Sequence, residues 1–81
     1  MEIGLTVIAD NKIGVLHNLT GIISKLGGNI LYTQQFIKDD DTGLIYMEIE
    51  NIEDEKKLIS TIKTMDCVRE VEIHSTLKKV F

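Results

Sequence analysis

The stretch Asp10-Asn11-Lys12-Ile13-Gly14 separates two apolar patterns of different period, and that change of period decides the fold. Before it, Ile3, Leu5, Val7 and Ala9 alternate with Glu2, Gly4, Thr6 and Ile8, the pattern of a strand with one buried face. After it, Val15, Leu16, Leu19, Ile22, Ile23 and Leu26 fall at helical spacing and form one apolar stripe. A strand over 2–9 therefore turns into an amphipathic helix. That helix is expected to stop at Gly27-Gly28, because glycine takes the left-handed conformation that closes a helix.

Outward from this unit the same order repeats. A second strand runs over 30–37, with Ile30, Tyr32, Gln34 and Phe36 expected on one side and Leu31, Thr33, Gln35 and Ile37 on the other. The breaker Asp39-Asp40-Asp41-Thr42-Gly43 is short enough for a hairpin into a third strand over 44–50, where Ile45, Met47 and Ile49 share a face. Asn51 is the expected cap of a second helix, with Glu53, Asp54 and Glu55 near its positive end and Leu58, Ile59, Ile62 and Met65 as its buried stripe. A last strand over 67–75 places Val71 and Ile73 inward and Glu70, Glu72 and His74 outward. Residues 76–81 read either as a frayed tail or as an extra edge segment.

The order is β-α-β-β-α-β, without proline or linker composition, so 1–81 reads as one α+β domain with its core over about 2–75. Right-handed crossovers then favour one four-stranded antiparallel sheet of order 4-1-3-2 with both helices on one face, the ferredoxin-like βαββαβ sandwich. That architecture serves many unrelated functions and assigns none.

Charge and size narrow the field. Nine Lys+Arg against thirteen Asp+Glu leave a net charge of −4, and eight acidic residues fall over 39–55 with no lysine or arginine among them. Nucleic acid is a poor partner for such a chain, because its affinity comes from cations that release counterions. No apolar run is long enough for a membrane span, no leader pattern opens the sequence, and the single Cys67 cannot form an intrachain disulfide, so the reducing cytoplasm is the expected location. Burying the apolar area available to 81 residues yields about 125 kcal/mol, against about 120 kcal/mol to order the chain. A lone copy is marginal by that sum, and self-association adds buried area.

The first turn is also the most site-like stretch. Asn11, Lys12 and Gly14 put an amide, a cation and a permissive glycine where free backbone N–H groups point outward, a place where a carboxylate can dock. The alternative is plain: Asn11 caps the helix and Gly14 makes the turn. Asn29 has the same two readings, a turn amide or a donor-acceptor pair for a small zwitterion. In the second strand Thr33, Gln34 and Gln35 interrupt an apolar run. No proline or lysine guards the middle of this edge, so pairing with a second copy is expected, with water-facing glutamines as the alternative. His17, His74 and Cys67 lack metal-ligand spacing and read as surface histidines and a packing cysteine. Asp39, Asp41 and Glu50 meet a calcium-loop template only by accident, since Gly43 is one place early. Gly21 is a costly residue inside a helix and would permit a close approach to a helix or ligand. No acid-base pair, nucleophile motif, phosphate loop or cofactor motif is present, so no enzyme activity and no cofactor are expected.

The run from Asp10 through Gly14-Val15-Leu16, continuing to Gly27-Gly28-Asn29-Ile30, resembles the ACT domain, a small amino-acid-sensing regulatory module. The resemblance covers nearly the whole chain. It implies a homodimer paired through the second strand and first helix, with a small effector, an amino acid, held between subunits by Asn11, Ile13, Gly14, Val15, Leu16 and Asn29. Two departures matter. Ala9 stands where serine-binding members have a histidine, and Ile13 stands in place of the usual proline. As a stand-alone domain it would act in trans on a partner enzyme; the other reading is a structural dimerisation module without a ligand.

Overall fold

The computed structural model describes residues 2–10, 14–37, 39 and 41–74. Its elements are β1 (Ile3–Asp10), α1 (Val15–Lys25), β2 (Asn29–Ile37), β3 (Thr42–Glu50), α2 (Glu55–Lys63) and β4 (Val68–His74). They form one antiparallel sheet of order β2-β3-β1-β4, with β1 paired to both β3 and β4. This is the expected 4-1-3-2 order read from the other edge.

The core sits between the sheet and the helices. Leu5, Val7, Met47 and Ile49 from the central strands meet Leu19 and Ile23 of α1 and Leu58 and Ile62 of α2, all fully buried. Apart from Ile59, which is half-buried and outside the core cluster, the helix stripes read from periodicity are the stripes that pack, because 3.6-residue and two-residue periods each aim one face at the same layer. Val68, Val71, Ile73 and Cys67 close the β4 side, half-buried against this core. Residues 75–81, and with them the expected tail or edge segment, lie outside the described residues.

Helix ends differ from expectation at one place. α1 closes as predicted: Gly27 is left-handed at φ +84, its N–H donates to the Ser24 carbonyl, and the Gly28 N–H donates to the Ile23 carbonyl. For α2 the cap is Asp54 rather than Asn51: the Asp54 side chain accepts from the Lys57 N–H at 3.0 Å. Asn51 instead takes a left-handed φ of +66 in the connection after β3, which lets Ile52 turn back into the core at 4% exposure. A cap must stand directly before the first helical turn, and Asn51 stands too far upstream.

β2 differs more. Its register to β3 shifts between Ile30 and Tyr32, so Ile30 lies opposite Ile49 on the helix side, while Tyr32, Gln34 and Phe36 lie opposite Glu48, Tyr46 and Leu44 on the open side. The expected grouping of Ile30 with Tyr32, Gln34 and Phe36 is therefore corrected by a bulge, which changes the face of every residue after it. Thr33, Gln35 and Ile37 now share the helix side with Ile30. Every residue of β2 except Ile30 is exposed.

Candidate functional site

The C-terminal end of β1, the start of α1, the end of β2 and the start of β3 meet around a cavity of about 160 Å³. Ala9, Val15 and Ile45 give it apolar walls, Gln35, Phe36 and Ile37 line it from β2 and Leu44 from β3, and Asp10 lines it from the end of β1. Asp10 and Val15 bracket the first turn, so the cavity lies beside the stretch at which the apolar period changes. Asn11 and Ile13 lie outside the described residues.

Each wall has a local cause. Ala9 and Val15 end the core faces of β1 and α1, buried to 2% and 6% exposure. A small residue at position 9 leaves room where a larger side chain would fill the space. Asp10 is held in place twice: its N–H donates to the Cys67 carbonyl at 2.8 Å, and its Oδ1 accepts from Arg69 Nε at 2.7 Å. The pair is half in solvent, so its contribution is to orientation more than to stability. Gln35 and Ile37 face the cavity side because of the bulge. In an unbulged strand they would have changed places with Gln34 and Phe36.

α1 begins at Gly14, which has φ +94 and no side-chain cap. An added Cβ at Gly14 would touch nothing, so its requirement is the left-handed backbone and not space. The Gly14 carbonyl accepts the first helical bond, from the Asn18 N–H at 2.9 Å. No acidic residue stands in the first turn of α1. Among the described residues no side chain answers the positive end that the helix presents beside the cavity; Asn11, the alternative cap, lies outside them.

Of the expected ligand residues, the cavity gathers Val15 directly and Gly14 by adjacency. Leu16 packs half-buried against the core. Asn29 stands elsewhere: it lines a shallow groove of about 430 Å³ at the other end of β2, with His17, Gly21 and Ser24 of α1, and its Nδ2 donates to Glu50 Oε1 at 3.4 Å. One copy of the chain therefore keeps the Asn29 end and the first-turn end apart. Asp10, Gln35 and Ile37 were missed as cavity residues. The lone arginine was a signal for Asp10, and the polar interruption Thr33-Gln34-Gln35 was a signal for Gln35. Gly21 is exposed, and no neighbour lies close to where its Cβ would be.

His17 is exposed, as expected. His74 is more engaged than a plain surface histidine: Nε2 lies 2.8 Å from Thr6 Oγ1, and the ring stacks on Tyr46 at 5.7 Å. Among the described residues no group of His, Cys, Asp and Glu converges as a metal site, and no helix is long and apolar enough to cross a membrane.

Solved structures share this fold. The ACT domain from GTP pyrophosphokinase of Chlorobium tepidum superimposes with a TM-score of 0.72 at 24% identity, covering 90% of this chain and 96% of that one. An ACT domain protein from Streptococcus pneumoniae gives 0.74 at 21%, covering 93% and 89%. In sequence, protein MJ1458 of Methanocaldococcus jannaschii is 58% identical over 82 residues, which is 100% of this chain and 38% of that protein. A protein of Archaeoglobus fulgidus is 43% identical over 82 residues, 96% of this chain and 37% of that protein. The chain spans less than two-fifths of the length of these two curated relatives. Residues 5–70 match the model of the AHAS small subunit-like ACT domain. The βαββαβ order, the sheet order and this match together place the chain in the family of AHAS small subunit-like ACT domains, a regulatory class of domain.

Proposed function

We propose that the chain is a regulatory domain that binds a small amino-acid effector at the junction of two copies paired antiparallel through β2. The observation that carries this reading is the shape of β2. Its residues are exposed along nearly the whole length, its middle carries no lysine or proline, and its far end forms one wall of the cavity beside the start of α1, where Gly14 has no side chain to cap the helix.

A two-fold pairing centred on Thr33 brings Asn29 of one copy opposite Ile37 of the other, since each lies four positions from the centre. The two ends that one copy keeps apart would then meet across the junction. The partner's Asn29 supplies an amide donor and acceptor, the start of α1 supplies N–H donors for a carboxylate, and Asp10 faces an ammonium group. Ala9, Val15 and Ile37 leave a compact apolar space for the effector's side chain. Asn11, Ile13 and Gly14 complete the first-turn side in this reading, and Leu16 supports it from the core. The effector biases the assembly only as far as it binds one arrangement better than another.

The test has two arms. Sedimentation equilibrium should give twice the chain mass, and thermal unfolding with each of the twenty amino acids should show one that raises stability by about 2.7 kcal/mol at 100 times its dissociation constant. The Asn29→Ala variant should keep the dimer and lose that gain. If every amino acid leaves the transition where it was while the dimer persists, the domain is a structural dimerisation module. A chain that stays monomeric at working concentration rejects the shared site.

A further inference from the structure

The sheet face away from the helices carries a second arrangement, of which only Phe36 and Leu44 also line the cavity. Read across β2, β3, β1 and β4, the registers place Phe36, Leu44, Ile8 and Glu70 in one row and Gln34, Tyr46, Thr6 and Glu72 in the next. The third row is Tyr32, Glu48, Gly4 and His74.

The rings on this face are held in place. A Cβ on Gly4 would lie 2.9 Å from the His74 ring, so the missing side chain lets that ring lie over β1, bond Thr6 and stack on Tyr46. Tyr46 in turn meets Tyr32 edge-on at 6.1 Å, and its hydroxyl donates to Glu48 Oε2 at 2.8 Å. Tyr32 and Phe36 remain 46% and 48% exposed at the end of this framework. Rings that are already fixed lose little freedom when they bind, and so make good anchors.

Among the described residues the lysines are segregated to the helix side of the sheet, while acidic residues stand on both sides. Glu50, Glu70 and Glu72 belong to the open face, and Glu48 lies buried within it, bonded to the Tyr46 hydroxyl. The described lysines, Lys25, Lys56, Lys57 and Lys63, all sit on the helices, and Arg69 is paired with Asp10. The face thus has an apolar, aromatic centre and an acidic border, which is the anatomy of a protein interface. The exposed Glu70 and Glu72 and the half-buried Glu50 turn away nucleic acid and anionic lipid. Pairing through β2 would leave this face open.

We infer that the open sheet face docks a basic amphipathic segment of a partner protein, its apolar side chains over Phe36, Leu44 and Ile8 and its lysines or arginines against Glu70, Glu72 and the tyrosine faces. Carboxylates at the border steer and select a cationic partner, and tyrosine faces attract the same cations. A second copy of this chain fits less well, because it would set acidic border against acidic border.

The experiment uses the full 81-residue chain, labelled with nitrogen-15, and a short amphipathic lysine–leucine peptide as probe. Amide shifts are expected at Thr6, Ile8, Leu44 and Tyr46. The double variant Glu70→Lys, Glu72→Lys should weaken binding by about tenfold or more, whereas the equal charge change Glu53→Lys, Asp66→Lys in the two loops flanking α2 should change it less than about twofold. Tyr32→Ala should also weaken binding, without a change in net charge. Four results overturn the inference: shifts confined to the helices or the acidic hairpin, equal losses from the two charge reversals, a glutamate–leucine peptide that binds as tightly, or cross-peaks in the free protein between residues 75–81 and this face.

Discussion

The two βαβ halves of the molecule share one order of elements, yet they finish their ends differently. In the second half, α2 starts at Asp54, whose side chain caps the Lys57 N–H, and Glu55 stands in its first turn. Its strand β4 alternates half-buried Val71 and Ile73 with charged Glu70 and Glu72, which guard that edge of the sheet. In the first half, α1 starts at a left-handed glycine with no side-chain cap, and β2 leaves all but one residue exposed. The second half answers its own polar groups. Among the described residues the first half leaves the start of α1, a strand edge and a cavity without such an answer.

The largest effect should be the one that shows no asymmetry. Leu19 of α1 and Leu58 of α2 are both fully buried in one core, so Leu19→Ala and Leu58→Ala should each cost about 3 kcal/mol in urea unfolding. A cost for one and not the other would mean that the halves do not share a core. The helix starts should then separate the halves chemically. Asp54→Ala removes a cap and should lose about 1 kcal/mol. Gly14→Ala should lose a similar amount, but through backbone strain at φ +94, and no side-chain hydrogen bond goes with it. Measuring both by denaturant, and repeating the effector titration on each, should show that only the Gly14 variant alters effector binding.

The edges provide a smaller but sharper contrast. Thr33→Lys puts a charge in the middle of β2 and should convert the dimer to monomer in sedimentation, while Glu72→Lys in β4 should leave the mass unchanged. Neither should move the unfolding free energy of a single copy by more than about 0.5 kcal/mol. An unchanged mass for the Thr33 variant would remove β2 as the joining edge.

The smallest effect concerns the open face. Burial and the neighbouring Glu48 carboxylate push the Tyr46 hydroxyl up to about 12. The folded state keeps this proton after the unfolded chain, with its ordinary value near 10.0, has lost it. Stability contributed by Tyr46 is therefore intact below pH 10 and falls as pH rises from there toward 12. Ultraviolet titration of the tyrosines should show one late phase, and Glu48→Gln should bring it earlier.

Much of this molecule was legible in its residues, and the places that were not share a cause. Val15, Leu19 and Ile23 announced the buried face of α1, and Ile45, Met47 and Ile49 announced that of β3, because each needs only a count along the chain. The Asn51 cap was misplaced because the connection after β3 turns through a left-handed residue, and its length is set by the packing of Ile52. The grouping of β2 was misplaced because a bulge costs no residue of distinctive type. Its position depends on β3, opposite which one extra residue is accommodated.

Period, turn residues and charge are local properties, and from them came the order of elements, the sheet topology, the edge position of the second strand and the expectation that nucleic acid is a poor partner. The faces of Tyr32, Gln35 and Ile37, the cavity between Val15 and β2, the Asp10–Arg69 pair and the row of rings over Gly4 join residues far apart in the chain. Such contacts depend on register and on which side chains are absent at the crossing point, and both are settled only when the strands have closed on one another.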